Sequence, residues 1–209
     1  MTMRSEESLT FTERARRTQI VAGAIQVLAD AGYPQTSLAK IAEHVGVAKS
    51  AVLYHFTSKT DVIESVMVEV FTRAAAMIVP AVHAESTPTG RLTAYIRANI
   101  AFVAGNRVAA IALLEIITGY RSQDGLRFDQ AAAGTEPPAE FAAMDPESIF
   151  TDGVAAGEFQ PVSPRFMKNA LRAALDGAVW ELGRDPDYDA VGYGEQLVDM
   201  FTKAVGGAP

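Results

Sequence analysis

Lys49, Ser50, Tyr54, His55, Ser58 and Lys59 crowd into the stretch GVAKSAVLYHFTSK, residues 46–59. Cations and hydroxyls at this density suit phosphate oxygens and the edges of nucleic-acid bases. Helical geometry sharpens the reading, because successive side chains turn by about 100° per residue. If Val52 points into a core, Phe56 lies close to it, Ser50 and Tyr54 point nearly opposite, and Lys49 and Leu53 flank the exposed face. Leu53 adds a group able to touch a thymine methyl. Ser58, Lys59 and the amides of a helix starting there would suit a phosphate.

The whole chain carries a formal net charge of −7, which by itself argues against nucleic acid. Its distribution argues otherwise. Residues 1–60 hold seven Lys/Arg against five Asp/Glu, while the remainder holds eleven against twenty. The basic residues therefore gather where the candidate site lies.

Something must hold that site in place. Apolar residues recur at three and four rather than two, so the chain reads as all-α, with about nine helices. The first runs from about Thr12 to Ala31, with Ile20, Ala24, Val27, Leu28 and Ala31 on one stripe, and Gly32 stops it. Ser37 caps a short second helix with Leu38, Ile41, Ala42 and Val45 apolar, Gly46 allows a tight turn, and a third helix covers about Ala48 to His55. Ser58 and Asp61 form an approximate capping box for a fourth from about Lys59 into the seventies, which Pro80 kinks or ends. Further helices are expected over Thr89–Ala104, Arg107–Tyr120, Phe141–Ala156, Pro164–Leu182 and Tyr193–Val205, with SQDGLRFDQAAAGTEPP as a loop. Two short helices joined through a glycine after a longer one make a helix-turn-helix, whose second helix enters the DNA major groove. A plain αα turn with a solvated polar face fits the pattern too.

SLAKIAEHVGVAKSAVLYHFTSKTDVI, with the frame Ile20, Ala24, Leu28 and Gly32 before it, resembles the DNA-binding domain of the tetracycline-repressor (TetR) family of bacterial transcription regulators. The resemblance covers about Arg14 to Val66. It implies an N-terminal three-helix DNA-binding domain, residues 1–57, and a C-terminal helical domain for effector binding and dimerisation, residues 58–209. It also implies that Thr36, Ser37, Tyr54, His55 and Lys59 contact the DNA backbone while Lys49 and Ser50 approach bases. Many members carry a phosphate-contacting tyrosine three residues before the phenylalanine. Here Leu53 stands at that position and the aromatic is Tyr54.

The implied partners are double-stranded operator DNA, a small-molecule effector and a second copy of the chain. The middle helices offer an apolar lining in which Tyr95, Phe102, Phe141 and Phe150 stand with the polar Asn99, Glu115 and Thr118, suited to an apolar or aromatic effector. In NALRAALDGAVWEL and QLVDMFTKAV, the residues Leu171, Ala174, Leu175, Ala178, Leu197 and Phe201 suit either a four-helix dimer interface or burial within one chain. An all-helical protein-interaction module that has lost DNA binding is the rival reading.

Several classes fit poorly. Without cysteine, disulfides and thiolate metal sites are excluded. None of His44, His55 and His83 sits in a zinc or nucleophile motif, and the run Asp185, Asp187, Asp189 lacks the glycine and glutamate of a calcium loop. No cofactor, metal or enzymatic activity is expected. No apolar run reaches a membrane span, and the N-terminus lacks an apolar leader core, so a cytoplasmic location is expected.

Overall fold

The computed structural model describes residues 10–122, 124–131 and 144–206. They form ten helices: α1 (Phe11–Ala31), α2 (Leu38–Val45), α3 (Lys49–His55), α4 (Lys59–His83), α5 (Pro88–Gly105), α6 (Arg107–Gly119), α7 (Phe128–Ala131), α8 (Glu147–Ala155), α9 (Pro164–Arg184) and α10 (Ala190–Val205). Nine match the expected segments. The tenth, α7, is a single turn inside the segment read as a loop, where a reverse turn at Gly125 brings the Ser122 amide to the Leu126 carbonyl at 2.9 Å. A four-residue turn carries too little periodicity to show in a sequence.

The chain divides into two compact units, one of Met1–Val70 with Ile111–Ala133, the other of Phe71–Ala110 with Gly134–Pro209. The first is built on α1, which starts with a reciprocal cap: the Thr10 hydroxyl accepts from the Glu13 amide at 3.3 Å and the Glu13 carboxylate accepts from the Thr10 amide at 2.8 Å. Ile20, Ala24 and Leu28 of α1 are fully buried, as are Ile41, Val52, Phe56, Val62 and Val66 of the chain that follows. Burying each of the larger apolar side chains is worth about 1.5–3 kcal/mol. Two glycines set the geometry. Gly46 ends α2 in the left-handed region at φ 74°, donating back to the helix it closes, and at Gly23 a side chain would collide with Val45, so the absence of one lets α1 and α2 approach closely there.

Ser58 caps α4 by accepting from the Asp61 amide at 3.1 Å, and Asp61 answers by accepting from the Thr57 amide at 2.7 Å. Pro80 does not end the helix, which continues one turn to His83. A proline removes a single backbone hydrogen bond from the turn before it, and burial of Ile78 and Val82 on either side holds that turn in place.

In the second unit α5 packs along α10, with Ile96, Ile100, Leu197 and Phe201 buried. Polar ties fix the neighbours: Arg91 pairs with Asp152 of α8 at 2.9 Å, and Arg107 Nε donates to the Leu182 carbonyl at the end of α9 at 3.0 Å. Lys168 bridges Asp145 at 2.9 Å and Glu147 at 2.5 Å. No single helix among the described residues is long and apolar enough to cross a membrane.

Candidate nucleic-acid interface

The recognition helix α3 stands as its sequence periodicity requires. Val52 and Phe56 are 0% exposed and anchor it, while Lys49, Ser50, Leu53 and Tyr54 face solvent, Tyr54 at 68%. Four side chains that donate hydrogen bonds or offer apolar contact thus share one face. On a helix this short no packing of its own would keep it folded; the core beneath supplies the stability.

Around this face the structure separates exposed side chains from side chains already engaged within the chain. Ser37 is exposed, and its hydroxyl caps α2 by accepting from the Lys40 amide at 3.3 Å. Thr36 is 3% exposed and its hydroxyl donates to the Gly32 carbonyl at 2.8 Å, which commits the side chain to the turn before α2. Lys59 reaches inward. Its ammonium donates to the Tyr33 carbonyl at 2.7 Å and lies 4.1 Å from the centre of the Tyr33 ring. Burial holds its pKa below the ordinary lysine value. The backbone amides of Asp61 and Thr57 are taken by capping, so the start of α4 offers a phosphate fewer donors than its sequence suggests.

Two residues outside the expected set prove central. Arg17 of α1 donates from Nη1 to the His55 carbonyl, the last of α3, and stacks its guanidinium 4.2 Å over the Phe56 ring. A cation at a helix C-terminus meets both an orphan carbonyl and the negative end of the dipole. Glu13, also on α1, accepts from the Tyr54 hydroxyl at 3.2 Å. The sequence shows three arginines near the start of α1 but not which would reach α3. His55 itself is pushed below the ordinary histidine pKa, chiefly by burial and then by Arg17 and Arg16, with Glu13 opposing, so it is neutral near pH 7.

The residues read as an effector lining are divided. Glu115 and Thr118 belong to the first unit: the Glu115 carboxylate accepts from the Tyr33 amide at 3.3 Å, and the exposed Thr118 returns its hydroxyl to the Leu114 carbonyl at 2.7 Å. Tyr95, Asn99, Phe102 and Phe150 belong to the second. Buried Tyr95 donates to the Met144 carbonyl at 3.0 Å, Asn99 donates to the Tyr95 carbonyl at 2.8 Å, and Phe102 and Phe150 are buried. Phe141 lies outside the described residues.

Of the residues read as a dimer face, Leu171, Leu175, Ala178, Leu197 and Phe201 are buried in the core of their own chain, and Ala174 is half-buried. Outside them runs a second stripe on α9, Phe166, Ala170, Ala173, Gly177 and Trp180, at alternating spacings of four and three. Phe166 is 68% and Trp180 46% exposed. Beside it a surface depression of about 690 Å³ is lined by Ala174, Tyr193, Gln196 and Met200 among others.

A three-helix head that buries one face of a short helix and presents the other, with basic and hydroxyl groups, to solvent is a helix-turn-helix DNA-binding regulator. Residues 20–66 match the model of the tetR family of bacterial regulatory proteins, so this head is similar to the DNA-binding domain of that family. The fatty acid metabolism regulator protein of Bacillus subtilis (strain 168) is 23% identical over 197 residues, covering 92% of this chain and 97% of that protein. The transcriptional regulator FadR from Bacillus subtilis, solved in complex with stearoyl-CoA, shares the fold with a TM-score of 0.66 at 20% identity, over 90% of this chain and 98% of that one. A TetR family regulator from Marinobacter aquaeolei VT8 reaches 0.74 at 12% identity, over 94% and 98%. These relatives are named as regulators of transcription or metabolism rather than as enzymes.

Proposed function

We propose that the protein is a cytoplasmic, homodimeric repressor that reads a pseudo-palindromic operator and leaves it when an apolar effector binds the C-terminal domain. The observation that carries the DNA-reading part is the sealed Val52–Phe56 anchor beneath the exposed Lys49, Ser50, Leu53 and Tyr54. Lys49 and Ser50 would address bases; Ser37, Tyr54 and His55 would address phosphates. Thr36 and Lys59, both turned inward, would shape the turn that presents them. In this reading residues 1–57 bind DNA and residues 58–209 sense and dimerise.

Two copies would meet along α9 and α10. The outer stripe containing Phe166, Ala173 and Trp180, with Met200 of α10, leaves apolar surface uncovered on one chain, and its small residues permit close helix approach. The two recognition helices would then sit about one DNA turn apart. For the effector, the stearoyl-CoA held by the Bacillus subtilis relative makes long-chain acyl-CoA the first class to test. Any effector must favour one conformer over another by binding the two with different affinity.

Gel shifts on the protein's own promoter region test the reading. Binding should be sequence-specific and fall steeply with salt, and stearoyl-CoA should release it. Equal affinity for promoter and random DNA would refute the repressor reading. Promoter binding untouched by a series of acyl-CoAs would reject that effector class alone.

A further inference from the structure

Tyr54 has one hydroxyl proton to give, and in the free protein that proton is taken. Its hydroxyl donates to Glu13 Oε1 at 3.2 Å, across from α3 to the first turn of α1. The carboxylate is anchored from its other oxygen, Oε2, which accepts from the Thr10 amide at 2.8 Å and the Thr10 hydroxyl at 2.9 Å. The Tyr54 ring is held as well, edge-on to His55 with centroids 5.0 Å apart. An anion held by Thr10 therefore sits within hydrogen-bond reach of the most outward aromatic on the face that must meet phosphates.

We propose that Glu13 is a positioning residue for DNA binding that stands in for a backbone phosphate at the Tyr54 hydroxyl when no DNA is bound. The inference rests on the DNA-binding reading above. Holding the ring in one pose spares Tyr54 the loss of rotamer freedom on binding. Contact with DNA then needs only a swing of the hydroxyl proton about the Cζ–Oη bond, from Glu13 to a phosphate oxygen. The hydrogen bond to Glu13 must be given up before a phosphate can take the hydroxyl, so every duplex meets that cost before Tyr54 contributes to binding. Glu13 thereby lowers affinity for all DNA while keeping Tyr54 ready, a brake that acts through one hydrogen bond.

A double-mutant cycle on duplex DNA from the protein's own promoter tests this. Glu13→Gln keeps an acceptor for Thr10, as glutamine serves at the third position of a capping box, and removes the charge. Melting and helical content should match the parent. Promoter binding should tighten about fivefold, the scale of one modest hydrogen bond redirected. Tyr54→Phe should weaken binding, and in that background the gain from Glu13→Gln should fall below about twofold, because the hydroxyl that linked the two is gone. Equal gains in both backgrounds would show a general charge effect and overturn the proposal, as would no gain in either. Failure of the parent protein to prefer its promoter would instead overturn the DNA-binding reading itself.

Discussion

Replacing Arg17 with methionine isolates what α1 does for the recognition helix. The guanidinium stacks 4.2 Å over Phe56 and donates to the His55 carbonyl. Methionine keeps most of the apolar stem and loses the charge, the planar donor and the capped carbonyl. A cation–π contact is worth about 0.5–1 kcal/mol, and a hydrogen bond from a charged donor about 1.5 kcal/mol at the low end that suits a half-buried side chain. The loss should come to about 2 kcal/mol, or about 4–8 °C in melting temperature for a chain of this size. Circular dichroism melting measures the first effect, and fluorescence anisotropy on promoter DNA measures the second. Affinity should drop because the last turn of α3 frays, while the slope of affinity against salt should stay the same, since no phosphate contact has been removed. Unchanged melting together with a shallower salt slope would refute the bracing role and make Arg17 a phosphate contact.

Three further outcomes follow from the same geometry. His55 resists protonation in the folded state, so its unfolded form takes up protons first as the pH falls below about 6.5; melting temperature should decline from pH 7.5 to pH 5.5, and His55→Gln should flatten that decline. Lys59→Gln should lower the melting temperature by unpinning Tyr33 and leave the salt slope unaltered, whereas a slope reduced by about one would mark a phosphate contact. Trp180→Glu, on the exposed stripe of α9, should give a helical monomer in sedimentation experiments, and a dimer of undiminished affinity would move the interface elsewhere.

How far the sequence reached is clearest at α3. A periodicity near 100° places Val52 and Phe56 inward and Ser50 and Tyr54 outward whatever surrounds the helix, and the structure has them so. Helix ends were legible for the same local reason: Ser37, Gly46 and the Ser58–Asp61 pair act through hydrogen bonds spanning three or four residues. Contacts distant along the chain were not. Lys59 looks like a phosphate ligand beside Ser58, yet it folds back onto Tyr33, 26 residues away. Leu171, Leu175 and Ala178 suit an interface or burial within one chain equally well by spacing; they are buried in their own chain, where α5, α8 and α10 pack on α9, while Phe166 and Trp180 of the same helix stay exposed.

By itself, then, the sequence determined that the chain is helical, where its DNA-reading helix begins and ends, and which side of that helix faces out, because all three depend on spacing within a few residues. Tertiary structure alone decided which polar groups are available on that side. Arg17, Glu13 and Lys59 are each long enough to reach several partners, and only the docking of α1, α3 and α4 around one core selects the His55 carbonyl, the Tyr54 hydroxyl and the Tyr33 carbonyl as the partners they take.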